Sequence, residues 1–437
     1  MNKLICFPLI SIAILCSCQN NSKAQLSDNA LLDTVQRQTL KYFVNFAQPK
    51  SGMARERSND QSDGNYIVTT GGTGFGIMAL VVGVDRHFIT RDAAVRQISR
   101  IANFLDTCDR YHGAWSHWYN GNTGKTFPFS QYDNGGDLVE TAYLVQGLLA
   151  ARAYFNSGSP EEVTLQNKIT KLWEGVDWNW YTNHTDSLYW HWSPNYQWKM
   201  NMPIKGWNEC LITYVLAASS PTHPIDSTVY HAGWTKSNHF YNGNSYYGHP
   251  LALGFPYGGP LFFSQYSFLG INPNGLYDRY ANYGQLNKNH SIINYTYCVE
   301  NPKHYKGYGD NCWGLTASDN YEGYSAQSPT NDLGVISPTA ALSAFPYTPE
   351  QSMATLKHFY YDLGGKIWGK YGFTDAFSEQ KNWYADSYLA IDQGPIVVMI
   401  ENYRTGLLWN LFSTITEVQK GLSLLDFKYA KAPVKQQ

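Results

Sequence analysis

Charge is scarce in this 437-residue chain. Asp, Glu, Lys and Arg make up 15% of it, and 32 basic against 34 acidic residues leave a formal charge of −2. With no basic excess and no basic run, nothing in it would follow a phosphate backbone, and nucleic acid is excluded as a partner. Cysteine is scarce too: beyond Cys18 there are only Cys108, Cys210, Cys298 and Cys312, with no CxxC pair and no disulfide-framework spacing. A hydrophobic content of 43% supplies a core that needs no staples, so these four read as buried free thiols. The His residues are scattered, with no HExxH and no paired-Cys pattern. No metal and no cofactor is therefore expected. "TGGTGFG" after "YIV" lacks the GxGxxG spacing of a dinucleotide loop, and no second strand follows it.

The first residues read as a processing signal. "MNKLICFPLISIAILCSC" has a Lys near its start, then an apolar run too short to span a membrane as a mature helix. It closes on Leu15, Ser17 and Cys18, which resembles a bacterial lipoprotein signal; an ordinary secretory signal cleaved nearby is the alternative. The expected organisation is a signal over 1–18 ending at a lipidated Cys18, a flexible tether over 19–29 and one domain over 30–430. That places a monomer in the periplasm or at the outer membrane, touching the membrane through its lipid anchor only.

Aromatic residues are abundant instead: 14 Trp, 34 Tyr and 20 Phe. Most such rings fill cores, but many here lie in polar loop-like stretches such as "DWNWYTNHTDSLYWHWSPNYQWKMNMP" (177–203). Flat apolar faces beside amides and carboxylates suit sugars.

The hydrophobic pattern alternates along the chain. Segments 30–46, 91–107, 161–175 and 350–363 are one-sided, 225–235 is mixed and 279–300 is long and polar. Segments 74–84, 138–155, 208–219, 260–270, 338–345 and 395–409 are apolar all round. Six outer helices, each followed by a buried one, predict an all-α (α/α)6 barrel. The long polar loops would gather at one end, where loops carry function. Gly or Pro precedes each inner segment, as in "GGTG", "DNGGD", "GWNE" and "DQGP". Asp133, Asp137, Glu140, Glu209 and Asp392 sit at or near those inner N-termini and so converge on one mouth.

Acids at helix starts are favoured for local reasons alone, each worth roughly 0.3–1 kcal/mol. Capping does not account for the rings and cations that arrive with them: Trp207 beside Glu209, and Arg55, Arg57, His117 and Trp118 in nearby loops. The two arginines form either a solvated turn or a grip on carboxylates or sugar hydroxyls. Glycoside hydrolysis would use the acids, one carboxyl protonating the leaving oxygen and another acting across the sugar, roughly 6.5–9.5 Å away in inverting enzymes. The donor must hold its proton near neutral pH through burial or like charge. Glu209, between Trp207 and Cys210, is the expected acid. Asp137 and Asp133, facing the mouth, are the expected base or electrostatic partners.

"GMARERS", "GGTGFGIMALVVGVDR", "DNGGDLVETAYLVQGLLAARAYF", "YWHWSPN", "GWNECLITYVLAASSPTHPI" and "AIDQGPIVVMIENYRTG" together resemble the glucoamylase-like bacterial proteins of glycoside hydrolase family 144. The resemblance runs from about residue 30 to 427. It implies an (α/α)6 barrel and endo-acting hydrolysis of β-1,2-glucan with inversion, releasing short sophoro-oligosaccharides without a metal. It carries Asp133, Asp137, Glu140 and Glu209 into the site. Because related barrels can use a base acting through a substrate hydroxyl, Asp392 remains a candidate. The linkage follows from the resemblance alone. A lipid-anchored glycan-binding protein without chemistry, or the same barrel acting on another glucan, are the rival readings.

Overall fold

The computed structural model describes residues 25–60 and 65–430; the segment ending at Cys18 and residues 19–24 of the expected tether lie outside the described residues. Thirteen α-helices are described: α1 (Asp28–Asn45), α2 (Thr70–Asp85), α3 (Arg91–Leu105), α4 (Leu138–Tyr154), α5 (Pro160–Glu174), α6 (Leu211–Ser219), α7 (Tyr283–Glu300), α8 (Pro338–Leu342), α9 (Pro349–Lys357), α10 (Gly364–Ile367), α11 (Ala390–Arg404), α12 (Leu407–Ser413) and α13 (Thr416–Leu424). Local chemistry sets many starts. The Ser27, Thr90 and Ser159 side chains accept from the first-turn N–H groups of Ala30, Ala93 and Glu162, and Pro160 opens α5. Helix α1 begins inside the stretch expected to be tether, and the Leu26 N–H donates to Tyr361 Oη at 2.8 Å.

The architecture is an (α/α)6 barrel. Helix α2 packs on α4 and α11, α4 on α6, and α11 on α8. Between α6 and α8 the inner ring is completed by two 3-10 turns, Leu261–Ser264 and Tyr266–Leu269. Outside, α1 covers α2 and α11, α3 and α5 pack together, α7 lies on the 3-10 turns and α9 on α8. The inner helices are apolar all round because they are enclosed on every side; every residue of α2 from Thr70 to Val84 is buried.

Three inner or outer segments differ from the sequence expectation. Segment 260–270 is not an α-helix, because its polar side chains bond elsewhere: Gln265 Nε2 donates to the Ala340 carbonyl, and Ser267 Oγ donates to the Glu209 carbonyl and accepts from Ile212 N–H. Segment 229–234 is a π turn. The last inner helix starts at Ala390, placing Pro395 inside it, and ends before Gly406 (φ +72°). Helices α12 and α13 follow, packing on α4 and α6; no pairing was expected for them. Among the described residues no helix is long and apolar enough to cross a membrane.

The tightest contact in the ring joins α2 and α4 at Gly74 and Gly147. A Cβ on Gly147 would lie 2.1 Å from the Gly74 carbonyl oxygen, and one on Gly74 would lie 2.1 Å from that of Tyr143. Backbone cannot move aside here, and overpacking costs about 1–3 kcal/mol or more. Gly147→Ala is expected to destabilise the fold by about 3 kcal/mol or more. Gly365→Ala, where a Cβ meets nothing within 4 Å, should change little. Urea unfolding of the two variants checks this.

Candidate active site

The inner N-termini open into a cleft of about 340 Å³ whose walls include Glu56, Arg57, His117, Trp118, Phe129, Glu140, Tyr143, Trp190, Glu209, Tyr266 and Tyr324. Short strands set its rim. Ile67–Thr69 pairs with Trp118–Asn120, which pairs with Thr126–Phe127, while the Thr70 N–H donates to the His117 carbonyl. Gly136–Asp137 pairs with His191–Trp192, bringing His191 opposite Asp137. A second cavity of about 390 Å³, beside Gly270, Phe412, Val418 and Phe427, offers no carboxylate for acid–base chemistry.

Asp137 caps α4. Its Oδ1 accepts from the Val139 and Glu140 N–H groups, and its Oδ2 accepts from Trp190 Nε1 at 3.2 Å. The same Oδ2 lies 3.1 Å from His117 Nδ1 and 3.4 Å from His191 Nε2, and Asp133 Oδ2 lies 3.5 and 3.1 Å from those nitrogens. Burial opposes charge on both imidazoles, but the carboxylates around them outweigh it: His117 is held well above its usual pKa and His191 is pushed up to about 9. Two imidazolium ions thus balance two carboxylates. His117, Asp133 and Asp137 also place three metal-ligating atoms within 4.8 Å, a grouping their sequence spacing did not reveal. A cation there would compete with protons that already neutralise the group.

Asp133 and Asp137 were expected to face the mouth, and they do not. They are 3% and 0% exposed and lie behind His117, which does line the cleft under the stacked ring of Phe129 (4.2 Å between centroids). The cleft carboxyls are Glu140, Glu209 and Glu56. Glu140 Oε2 accepts from the Gly71 N–H at 2.6 Å, an approach a Cβ at Gly71 would obstruct, and Oε1 lies 3.9 Å from His117 Nε2. Burial, with Asp137 and Asp133 nearby, raises its pKa to about 7 against the pull of His117. Glu209 sits just ahead of α6; its Oε2 is buried without a partner, and burial alone lifts its pKa to about 7.

A second acidic group stands across the cleft. Arg57 Nη1 lies 3.2 Å from both Asp319 oxygens and its Nε 2.9 Å from Glu56 Oε2. Ser387 Oγ donates to Asp319 Oδ2, and the Asp319 N–H donates to Asp375 Oδ2. Asp392, in the first turn of α11, is buried against the Asp375 carboxyl, and no other group donates to its oxygens. A proton must serve this pair. Burial and the neighbouring carboxyls push Asp375 up to about 7 and Asp392 well above its usual value.

Of the residues singled out in the sequence, Glu209, Glu140, Arg57, His117 and Trp118 line the cleft. Trp207 does not: it is 1% exposed and packs against Tyr283, Phe268 and Trp234. Nor does Arg55, which donates to the carbonyls of Phe46 and Asn65 and stacks on the Phe46 ring. Glu56, His191, Asp319, Asp375, Tyr143, Tyr266 and Tyr324 were not anticipated. His191 stands within "YWHW", Glu56 within "GMARERS" and Tyr143 within "DNGGDLVETAY", so those three lay in motifs that were read without being singled out.

Fold and site together define a barrel of the glycoside hydrolase class. Residues 201–416 match the Glycoamylase family model. An endo-β-1,2-glucanase from Chitinophaga pinensis, solved with sophorotriose and glucose, is 55% identical, with a TM-score of 0.90 over 92% of this chain and 99% of that one. A curated relative from Parabacteroides distasonis, an exo β-1,2-glucooligosaccharide sophorohydrolase (non-reducing end), is 45% identical over 92% of this chain; this chain spans 58% of its length. An endo-β-1,2-glucanase from Talaromyces funiculosus, 11% identical with a TM-score of 0.65, shares the fold. The chain belongs to the glucoamylase-like family, glycoside hydrolase family 144.

Protons held by buried carboxyls make stability pH-dependent. A carboxyl with a raised folded pKa contributes stability that is present below its unfolded pKa and lost as pH rises through the folded one. For Asp375, Glu140 and Glu209 that loss runs from about 4 up through about 7. Asp392→Asn should reduce it, by about 1.4 kcal/mol for each pKa unit of perturbation removed. Urea unfolding at about pH 5 and about pH 8 should show the variant losing less stability than the parent.

Proposed function

We propose that the chain is a hydrolase of β-1,2-glucan that cuts internal bonds with inversion and releases sophoro-oligosaccharides. The observation that carries this reading is Glu209: a cleft carboxyl that keeps its proton near neutral pH and whose buried Oε2 has no partner among the described residues. Glu209 gives that proton to the glycosidic oxygen as the bond from that oxygen to the anomeric carbon breaks. A water attacks the anomeric carbon from the opposite face and loses its proton to a second carboxylate. Glu140 is the better placed of the α4 acids for that role, since it lines the cleft and the His117 cation favours its anion. Asp133 and Asp137 act behind it, holding His117 charged and in place. Rings on several walls, Trp118, Trp190, Tyr266 and Tyr324 among them, offer faces to the sugars.

The β-1,2 linkage is supported by the relatives that act on it. The endo mode is supported by the Chitinophaga enzyme, which this chain covers almost end to end, whereas it covers 58% of the exo-acting relative. Lipidation at Cys18 and a periplasmic or outer-membrane location are part of the same proposal, and rest on "LCSC". Cys18→Ala should release the protein from the membrane fraction.

Linear β-1,2-glucan should yield short oligosaccharides whose first-formed reducing ends carry the α configuration by NMR, while laminarin, cellulose derivatives and starch stay intact. Silence on β-1,2-glucan with binding retained would return the site to a glycan-binding role. Glu209→Gln should keep the fold and glycan binding while kcat falls roughly 10²–10⁴-fold. In the parent, kcat should pass through a maximum near pH 7, falling above it as Glu209 loses its proton and below it as Glu140 gains one.

A further inference from the structure

Away from the cleft, three side chains of metal-ligating type meet where no acid–base role is assigned. Cys312, His358 and Glu379 each present one ligand atom, and these lie within 4.8 Å of one another. They come from three separate elements. Cys312 closes a turn in which the Gly309 and Cys312 backbones bond reciprocally. His358 begins the π turn His358–Asp362 that follows α9. Glu379 lies in the turn between the paired strands Phe377–Ser378 and Trp383–Tyr384.

A second observation concerns the histidine. Its Nδ1 is bonded to Asp362 Oδ2 at 2.8 Å, which leaves Nε2 as the nitrogen free to ligate. A carboxylate on the far side of an imidazole is the arrangement that fixes the ring and its tautomer in metal sites. Gly307 (φ +95°) makes room for the third ligand, since a Cβ there would sit 2.9 Å from Glu379 Oε1. The nearby Lys366 ammonium is engaged by Tyr384 Oη at 2.7 Å.

We propose that Cys312, His358 and Glu379 form a structural site for a borderline divalent transition ion of the Zn²⁺ type, with water as fourth ligand. Thiolate, imidazole and carboxylate together select such an ion over Mg²⁺ or Ca²⁺. Binding converts the Cys312 thiol to thiolate and releases one proton to solvent. The ion would tie the 301–336 loop, the end of α9 and the hairpin after Asp375 into one unit. Asp319 and Tyr324 come from that loop and Asp375 directly precedes that hairpin, so the clamp braces one wall of the cleft without entering the chemistry.

Cobalt(II) titration of the full chain under reducing conditions reads the site directly, because thiolate ligation gives a charge-transfer band that oxygen and nitrogen ligands do not. One equivalent of Co²⁺ should produce the band and Zn²⁺ should abolish it. Cys312→Ser should lack it, and Asp362→Asn should weaken Co²⁺ binding roughly 10–100-fold. His358→Gln, at a partly exposed position, keeps the test open if the cysteine variant misfolds, and should weaken binding at least tenfold. Zn²⁺ should raise the thermal unfolding midpoint of the parent and not of these variants. Absence of the band in the parent, or its persistence in Cys312→Ser, overturns the proposal.

Discussion

One carboxylate holds the site to the barrel. Asp137 Oδ1 caps α4 and its Oδ2 receives Trp190, His117 and His191, so five donors from three segments converge on a single buried group. The helix start fixes where the carboxylate is, the carboxylate fixes where the imidazoles are, and the His117 imidazole sets the charge beside Glu140. Removing one partner from such a group leaves another charge buried and alone, which costs roughly 3–5 kcal/mol. The rim of the cleft is therefore as strongly determined as the core beneath it.

The cleft acids divide by how their burial is compensated. Asp137 is surrounded by donors and stays ionised, its pKa held below the usual carboxylate range although burial opposes this. Glu209 has only its own backbone N–H and keeps its proton. Glu140 stands between, with one backbone N–H and a distant imidazolium on its two oxygens. A gradient of donor number across a few residues thus sorts chemically similar groups into anions and acids, with no change of residue type except Asp for Glu.

Much of this was legible in the sequence. The alternation of one-sided and all-round apolar segments encodes the two rings, and "DNGGD" and "GWNE" mark the inner helix starts that carry Asp137 and Glu209. Direction was not legible. Trp207 and Glu209 are two residues apart in a turn, yet the ring enters the core and the carboxyl enters the cleft. Arg55 and Arg57 look alike in "ARERS", but one holds backbone carbonyls and the other Asp319. Asp319 lies in a four-residue strand and Asp375 in an irregular segment, neither long enough to show a periodicity, and Asp319 meets Arg57 only through folding across 262 positions. The 260–270 segment misled because its apolar content fits a helix while Ser267 and Gln265 bond to other parts of the ring.

The rim loops are not loose connections. Among the described residues seven two-stranded sheets and one three-stranded sheet pin segments outside the helices, among them the Gly136–Asp137 and His191–Trp192 pair and the Ala317–Asn320 and Gly323–Ala326 hairpin. Ordering a flexible loop around a ligand subtracts from affinity. Here the strand pairs hold the described rim segments in place without a bound sugar. A glucan chain would meet a surface already in its bound shape, and differences among substrates would be decided by fit to fixed walls rather than by how far each can organise the loops around itself.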